Sequence, residues 1–96
     1  MKLVLLPDAR LDILDSVRSF DELSSGLGDR FEDELFACFE RIKADPERYA
    51  ENGNGFRAIK LNKFQAVVYF LVDSTRLTVF RVCVNGRSSS GVENPG

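Results

Sequence analysis

The sequence contains no histidine, and it has only two cysteines among its 96 residues. Without histidine, the chain cannot build a serine–histidine–aspartate triad or use an imidazole as a general acid or base. The two cysteines, Cys38 and Cys83, are far apart and belong to no C-x-x-C motif, which argues against a zinc site. We therefore predict no metal and no small-molecule cofactor, and we expect both thiols to be reduced core residues.

Long apolar runs are also missing from the chain. No segment reaches the roughly 20 apolar residues that are needed to span a bilayer. The apolar stretch at residues 1–6 ends at Pro7, after too few residues for the core of a secretory signal. We therefore expect a cytoplasmic protein without a membrane partner.

The apolar content that is present suffices for one compact core. Apolar residues make up 44% of the chain, and eight phenylalanines carry most of the aromatic mass. A chain this short supports one core, so we predict a single domain over residues 1–87. Residues 88–96 contain three serines, two glycines and a proline, which predicts a flexible C-terminal tail.

Charge is divided unevenly along the chain. Residues 1–55 carry 7 basic and 13 acidic side chains, whereas residues 56–96 carry 6 basic and 2 acidic ones. The C-terminal part can therefore present a basic surface although the net charge is −2. Two interpretations stay open: a basic functional face, or a solvated acidic pair of helices beside a mildly basic sheet.

The acidic part predicts a strand and then a helix. Residues 2–6 form a short apolar strand, and apolar residues then recur at helical spacing until the Ser-Ser-Gly sequence at 24–26. This periodicity leaves Asp12, Asp15 and Arg18 on the solvated side of the helix.

A second helix follows after a few residues. It should begin near Asp29, as the N-cap residue, with Glu32 three positions later as in a capping box. It should end before the Asp-Pro pair at 45–46. The short connection predicts that the two helices form an antiparallel hairpin. The apolar stripe of the second helix consists of Phe31, Leu35, Cys38, Phe39 and Ile42.

The basic part predicts three strands, at residues 56–61, 64–72 and 76–84. The two-residue break at 62–63 suggests a tight hairpin, and the long apolar run that follows suggests a central strand buried on both faces. The resulting order, β-α-α-β-β-β, indicates an α+β fold in which an N-terminal helical hairpin packs on an antiparallel-rich sheet.

Strand alternation assigns the side chains of the last strand to two faces. The face that should pack on the helices carries Thr78, Phe80, Val82 and Val84. The opposite face should carry Leu77, Val79, Arg81, Cys83 and Asn85, with Arg87 at its rim.

Basic side chains near this opposite face are candidates for contact with a phosphate backbone or an acidic peptide. The candidates are Arg57, Lys60, Arg81 and Arg87. In a regular strand, however, Arg57 and Lys60 fall on opposite faces, and each arginine could instead pair with a helix carboxylate. Lys63 is interpreted as a turn residue, and Tyr69 as a core residue rather than a catalytic one.

These elements and four short motifs together resemble a known family. The motifs are Asp-Pro at 45–46, GFRAIKLNKF at 55–64, FQAVVYFLV at 64–72 and VFRVCVNGR at 79–87. In this order and spacing they are similar to the RelE/ParE superfamily, the toxins of type II toxin–antitoxin systems. The resemblance implies growth inhibition, a role in plasmid stabilisation, and a cognate antitoxin that wraps the toxin. We expect the antitoxin to use the helical hairpin and one edge of the sheet.

The superfamily has two main activities, and the resemblance discriminates between them. RelE-like members cleave mRNA in the ribosomal A site, and Lys60 and Arg87 match two positions of their basic pattern. These two residues are the catalytic candidates. The remaining pattern positions hold Ala58, Gln65 and Glu93, and nothing obvious takes the proton of an attacking 2′-hydroxyl.

The resemblance therefore favours the other activity, that of ParE-like members, which poison DNA gyrase. On this interpretation, the residues that bind the target are Arg57, Arg81 and Arg87. Two alternatives stay open: a ribosome-dependent mRNA endonuclease, and a non-toxic relative that only binds an antitoxin.

Overall fold

The computed structural model describes residues 2–84, so Asn85, Arg87 and the tail predicted at 88–96 lie outside the described residues. The elements are β1 (Lys2–Leu5), α1 (Pro7–Leu23), α2 (Leu27–Ala44), one 3₁₀ turn (Pro46–Arg48), β2 (Arg57–Leu61), β3 (Ala66–Val72) and β4 (Arg76–Val84). Within residues 2–84, no helix has the length and apolar composition that crossing a bilayer requires.

The four strands form one sheet in the order β1-β4-β3-β2. β1 runs parallel to β4, and the other two strand pairs are antiparallel. The two helices pack against each other and bury one face of the sheet. The predicted α+β class, with a helical hairpin on an antiparallel-rich sheet, is therefore confirmed.

The start of α2 differs from the prediction. Asp29 lies in the first turn of the helix, and the N-cap residue is Gly26, whose φ of 87° favours glycine. Because glycine has no side chain, the cap comes from α1, where the Asp21 carboxylate accepts a 2.8 Å hydrogen bond from the Gly28 amide. A side chain at Gly28 would not fit, since a Cβ there would lie 2.5 Å from the carbonyl oxygen of Val17.

The core lies between the helical hairpin and the sheet. The five residues of the predicted α2 stripe, Phe31, Leu35, Cys38, Phe39 and Ile42, are all buried. From α1 the core receives Ala9, Ile13 and Phe20, and from the sheet it receives Leu61, Ala66, Val68, Phe70, Leu77, Val79, Val82 and Val84. The helical period read from the sequence therefore located the helix side of the core correctly.

The turn between β2 and β3 spans residues 62–65, so it is longer than the two residues predicted. Its extra length carries Phe64 to the helices. The ring of Phe64 lies 5.1 Å from that of Phe20 and 5.4 Å from that of Phe31, measured between centroids. These edge-on contacts fix the turn to the hairpin, since aromatic rings at this distance attract each other.

A bulge in β4 changes which side chains share a face. Tyr69 pairs with Arg81 while Phe70 pairs with Val79, so Phe80 is an extra residue in β4. The extra residue shifts the alternation by one position, and the predicted faces are therefore wrong for the first half of β4. The helix side carries Leu77, Val79, Val82 and Val84, whereas the other side carries Thr78, Phe80, Arg81 and Cys83.

The prediction that the central strand is buried on both faces is also wrong. β3 is central, and Val68 and Phe70 on its helix side are fully buried, but Leu71 on the other side is 43% exposed. The reason is that both helices cover the same side of the sheet. Cys83 lies on the exposed side, so of the two thiols predicted to be core residues only Cys38 is buried.

Candidate target-binding face

The side of the sheet that is turned away from the helices is called the open face below. Its strand residues are Ala58, Lys60, Val67, Tyr69, Leu71, Thr78, Phe80, Arg81 and Cys83. In the register of the strands, one row joins Lys60, Val67 and Cys83, and the next row joins Ala58, Tyr69 and Arg81. Two of the predicted basic residues, Lys60 and Arg81, therefore lie on opposite sides of the central strand.

Three aromatic rings form the centre of the open face. The centroid of Phe56 lies 5.8 Å from that of Tyr69 and 5.4 Å from that of Phe80, and both contacts are edge-on. The rings of Tyr69 and Phe80 are 6.1 Å apart. Tyr69 is therefore not the core residue that the sequence predicted, because its ring is half-buried on the open side of the sheet.

Arg81 is held by a carboxylate of α1. Its Nε and Nη2 atoms donate to the two carboxylate oxygens of Asp12 at 2.7 Å and 2.9 Å. Asp12 was predicted on the solvated side of α1, but its side chain is only 16% exposed because it faces β4. The hydrogen bonds to this carboxylate raise the pKa of the Arg81 guanidinium further above its usual range, so the charge is permanent.

The position of Asp12 follows from the unequal lengths of β1 and β4. β1 pairs with β4 only as far as Val79, whereas β4 continues to Val84. Beyond β1, the amide of Val82 donates instead to Asp12 at 2.8 Å. Asp12 therefore accepts three hydrogen bonds, and the Arg81 side chain that it orients stays 46% exposed.

Arg57 lies on the other side of the sheet. It is opposite the buried Phe70 in the register, and its Nη1 donates to the carbonyl oxygen of Tyr49 at 2.7 Å. The expectation that Arg57 and Lys60 fall on opposite faces is confirmed, because Lys60 is opposite Val67. The fold therefore brings Lys60 and Arg81 to the open face, whereas Arg57, on the edge strand β2, lies on the helix side of the sheet.

The two lysines near β2 have different surroundings. Lys63 lies in the turn, as predicted, and its Nζ is 3.4 Å from a carboxylate oxygen of Glu34. Lys60 is exposed, and its side chain has no hydrogen bond or ion pair with any residue in the range 2–84. No residue in the range 2–84 therefore occupies its ammonium group, which can contact an external anion.

Neither cysteine has the lowered pKa of an activated, nucleophilic thiol. Partial burial raises the pKa of Cys83, and the nearby Arg81 charge only partly opposes this shift. Burial likewise raises the pKa of Cys38. Both thiols are therefore protonated at neutral pH, and an activated thiolate would need the opposite shift.

The comparison with solved structures supports this fold. No protein-family model matches the sequence. No curated protein matches it either. Among solved structures, a chain described as "Chromosomal ParDE TA system from P. aeruginosa" superposes with a TM-score of 0.76 at 14% identity, over 85% of this chain and 92% of that chain. This protein has the fold of that ParDE chain.

The ParDE-like fold is the one that the sequence motifs implied, but two features of the face were missed. Asp12 is one position before the buried Ile13, at the border of the apolar stripe of α1, and that position was the only signal of its role. The bulge at Phe80 had a signal in the run of apolar residues around Arg81, where strict alternation fails.

Proposed function

We propose that this chain is the toxin of a type II toxin–antitoxin system, that it acts in the cytoplasm to inhibit growth, and that a cognate antitoxin neutralises it. One observation carries the proposal: the superposition on a chain of a ParDE TA system extends over 85% of this chain and 92% of that chain. Because one fold can host several activities, the choice of activity is argued from the open face.

The open face favours binding a protein target, such as DNA gyrase, over cleaving a nucleic acid. Its centre is aromatic, with Phe56, Tyr69 and Phe80 half-buried, and Arg81 stands beside them. Aromatic and arginine side chains are enriched at protein interfaces and supply most of their binding energy. The carboxylate that contacts Arg81 is engaged by three hydrogen bonds from the protein's own donors, so it is not positioned to contact a substrate hydroxyl.

Within this proposal, the arginines that bind the target are Arg81, Arg87 and Arg57. Arg81 offers its remaining guanidinium nitrogen, Nη1, after Asp12 has taken the other two. Arg87 lies a few residues beyond the end of β4 in the sequence. Arg57 contributes from the edge strand only if its bond to the Tyr49 carbonyl opens.

A second candidate function, a ribosome-dependent mRNA endonuclease, is supported by one observation. Lys60 is exposed on the open face, and its side chain has no hydrogen bond or ion pair within the described residues. An ammonium group in this position can stabilise the negative charge that develops on a phosphate during cleavage. Arg87 would be its companion in that reaction.

Induced expression in a bacterial host tests the proposal. The wild-type chain should arrest growth with filamentation and a DNA-damage response while mRNA stays intact. Arg81→Ala should relieve the arrest. Gly28→Ala destabilises the chain at a site away from the open face, so it separates lost target contact from lost stability. If Gly28→Ala relieves the arrest as fully as Arg81→Ala at equal loss of stability, Arg81 is not a target-binding residue.

The nuclease candidate has its own pair of variants. Lys60→Ala should abolish ribosome-dependent mRNA cleavage, whereas Lys63→Ala should not, because Lys63 is engaged by Glu34. Arrest with intact mRNA excludes the nuclease. A harmless wild-type chain in hosts that carry the target excludes both activities and leaves a non-toxic antitoxin-binding relative.

A further inference from the structure

The turn that precedes β2 contains two Asn-Gly pairs, Asn52-Gly53 and Asn54-Gly55. Asparagine is a chemically labile residue, because the amide nitrogen of the following residue can attack its side-chain carbonyl carbon. Glycine in the following position favours this attack, since it has no side chain that obstructs the approach. Within residues 2–84, these two pairs are therefore the places where the local sequence favours loss of an asparagine side-chain amide.

Three hydrogen bonds close the turn. The Asn52 amide donates to the Phe56 carbonyl at 2.9 Å, and the Gly55 amide donates to the Asn52 carbonyl at 3.3 Å. The third bond involves a side chain, since the Asn54 amide donates to Oδ1 of Asn52 at 2.8 Å. All residues from 50 to 55 are exposed to water. The two asparagines therefore hold different positions in one ordered, solvent-exposed turn.

The two pairs differ first in the nitrogen that would attack. The amide of Gly53 has no hydrogen bond with any residue in the range 2–84. The amide of Gly55, in contrast, donates to the Asn52 carbonyl. Attack requires the amide to give its proton to a base in the solvent, and a carbonyl acceptor that holds this proton opposes the step. The free nucleophile is therefore the nitrogen that follows Asn52.

The two pairs differ next in the carbonyl group that would be attacked. When the Gly53 nitrogen adds to Cγ of Asn52, negative charge develops on Oδ1. The Asn54 amide already donates to this oxygen at 2.8 Å, and a backbone N–H in this position stabilises an oxyanion. The same bond folds the Asn52 side chain over the Gly53 peptide, because donor and acceptor are two residues apart. The side chain of Asn54 has no hydrogen bond to any described residue.

We propose that Asn52 is a site of spontaneous deamidation in the folded chain, ahead of Asn54. The Gly53 nitrogen forms a bond to Cγ of Asn52 while its proton passes to a base in the solvent. The bond from Cγ to Nδ2 then breaks, and Nδ2 takes a proton from water and leaves as ammonia. A second water molecule opens the resulting succinimide ring at either carbonyl carbon. The products are aspartate and isoaspartate at position 52, and each carries a new negative charge.

Isoaspartate at this position alters the turn, because its main chain contains an additional carbon. The carbonyl that accepts from Gly55 becomes a side-chain carboxylate, and the bond from the Asn52 amide to Phe56 lies beside the inserted carbon. Phe56 is one of the three rings at the centre of the open face, and the next residue, Arg57, pairs with Glu51 across the base of the turn. Deamidation therefore changes the support of the open face. Its effect on target binding rests on the proposed function, whereas the chemistry at Asn52 does not.

Ageing of the purified full-length chain at mildly alkaline pH tests the proposal. Trypsin cuts after Arg48 and Arg57, so one peptide carries both asparagines, and its fragment masses assign each deamidation to a position. Enzymatic methylation identifies isoaspartate. In the folded chain, Asn52 should convert at least about fivefold faster than Asn54. A backbone donor to an oxyanion is worth about 100-fold or more in an enclosed enzyme site, and the smaller value is expected because this turn is open to water.

The same chain unfolded in urea is the matched control, because both Asn-Gly pairs are then present without the turn. Their conversion rates should then agree within about twofold. A ratio that does not change on unfolding overturns the proposal, since the difference would come from the local sequence. Conversion of Asn54 at an equal or higher rate in the folded chain overturns it too, and so does a folded chain in which neither asparagine converts.

The Gly53→Ala variant tests the attacking group. A Cβ at this position has nothing within 4 Å, so the variant should fold, and thermal unfolding establishes this. Its methyl group obstructs the amide nitrogen, so conversion of Asn52 should fall at least about fivefold while Asn54 keeps its rate. Unchanged conversion of Asn52 shows direct hydrolysis by water and overturns the proposed attack. Growth arrest is measured separately: if the wild-type chain is harmless but Asn52 still converts, the toxin function fails while this modification site stands.

Discussion

Replacing Asp12 with alanine removes the three hydrogen bonds that join α1 to β4. The Val82 amide is left without its acceptor, which costs about 1–2 kcal/mol at a partly buried site. The Arg81 ion pair adds about 0.5–1 kcal/mol, a discounted value because the arginine side chain is 46% exposed and screened by solvent. The free energy of unfolding should therefore fall by about 1.5–3 kcal/mol, which lowers Tm by on the order of 10 °C for a domain of this size.

Urea denaturation at neutral pH measures this loss. Asp12→Asn keeps an acceptor for the Val82 amide, but it loses the charge and replaces the oxygen that accepts from Arg81 Nη2 by an NH2 group that cannot accept. It should therefore cost about half as much as Asp12→Ala. Asp15→Ala is the control, because the Asp15 side chain is 77% exposed and lies 3.9 Å from Arg18; its cost should be below about 0.5 kcal/mol. An Asp12→Ala variant as stable as Asp15→Ala would refute the reasoning.

Three further predictions concern other sites. Gly28→Ala should destabilise the chain by at least about 2 kcal/mol, because a Cβ there would lie 2.5 Å from a main-chain oxygen of α1. Gly53→Ala is the control and should cost little, because a Cβ there would have nothing within 4 Å. Thermal unfolding compares the stability of the two variants. Backbone amide hydrogen bonds hold the pKa of Asp73 below 3.8. The stabilisation that Asp73 provides is therefore complete above about pH 5 and is lost as pH falls through the folded pKa. Denaturation at pH 6 and pH 2 measures the difference in unfolding free energy between wild type and Asp73→Ala, and this difference should be smaller at pH 2. Iodoacetamide should modify Cys83 in the folded chain but reach Cys38 only after unfolding, and mass spectrometry of the labelled peptides identifies the site; modification of Cys38 first would contradict the fold.

Local patterns predicted the elements of this fold well. The apolar period located α2 and its buried stripe, and the Asp-Pro pair marked its end, because both signals arise within a few residues of the chain. The start of α2 was predicted less well. Its cap is the carboxylate of Asp21 on the preceding helix, so it depends on how two helices pack rather than on the local sequence.

The arrangement of the open face depended on longer-range contacts. The bulge at Phe80 is a property of the register between β3 and β4, and the broken alternation in the sequence of β4 does not identify which residue is the extra one. Asp12 and Arg81 are 69 positions apart in the chain, so their pairing was visible only after folding. The sequence predicted that arginines could pair with helix carboxylates, but it could not tell which arginine or which carboxylate.

The parallel pairing of β1 with β4 has a consequence for synthesis on the ribosome. Lys2 pairs with Arg76, so the first strand to leave the exit tunnel completes its pairing only when the last strand follows. At typical rates of 5–20 residues per second, this interval lasts about 4 to 15 seconds. During that time the open face lacks β4, and the nascent chain has neither Arg81 nor the aromatic cluster in place. Any chain that terminates before β4 is consequently unable to assemble this surface.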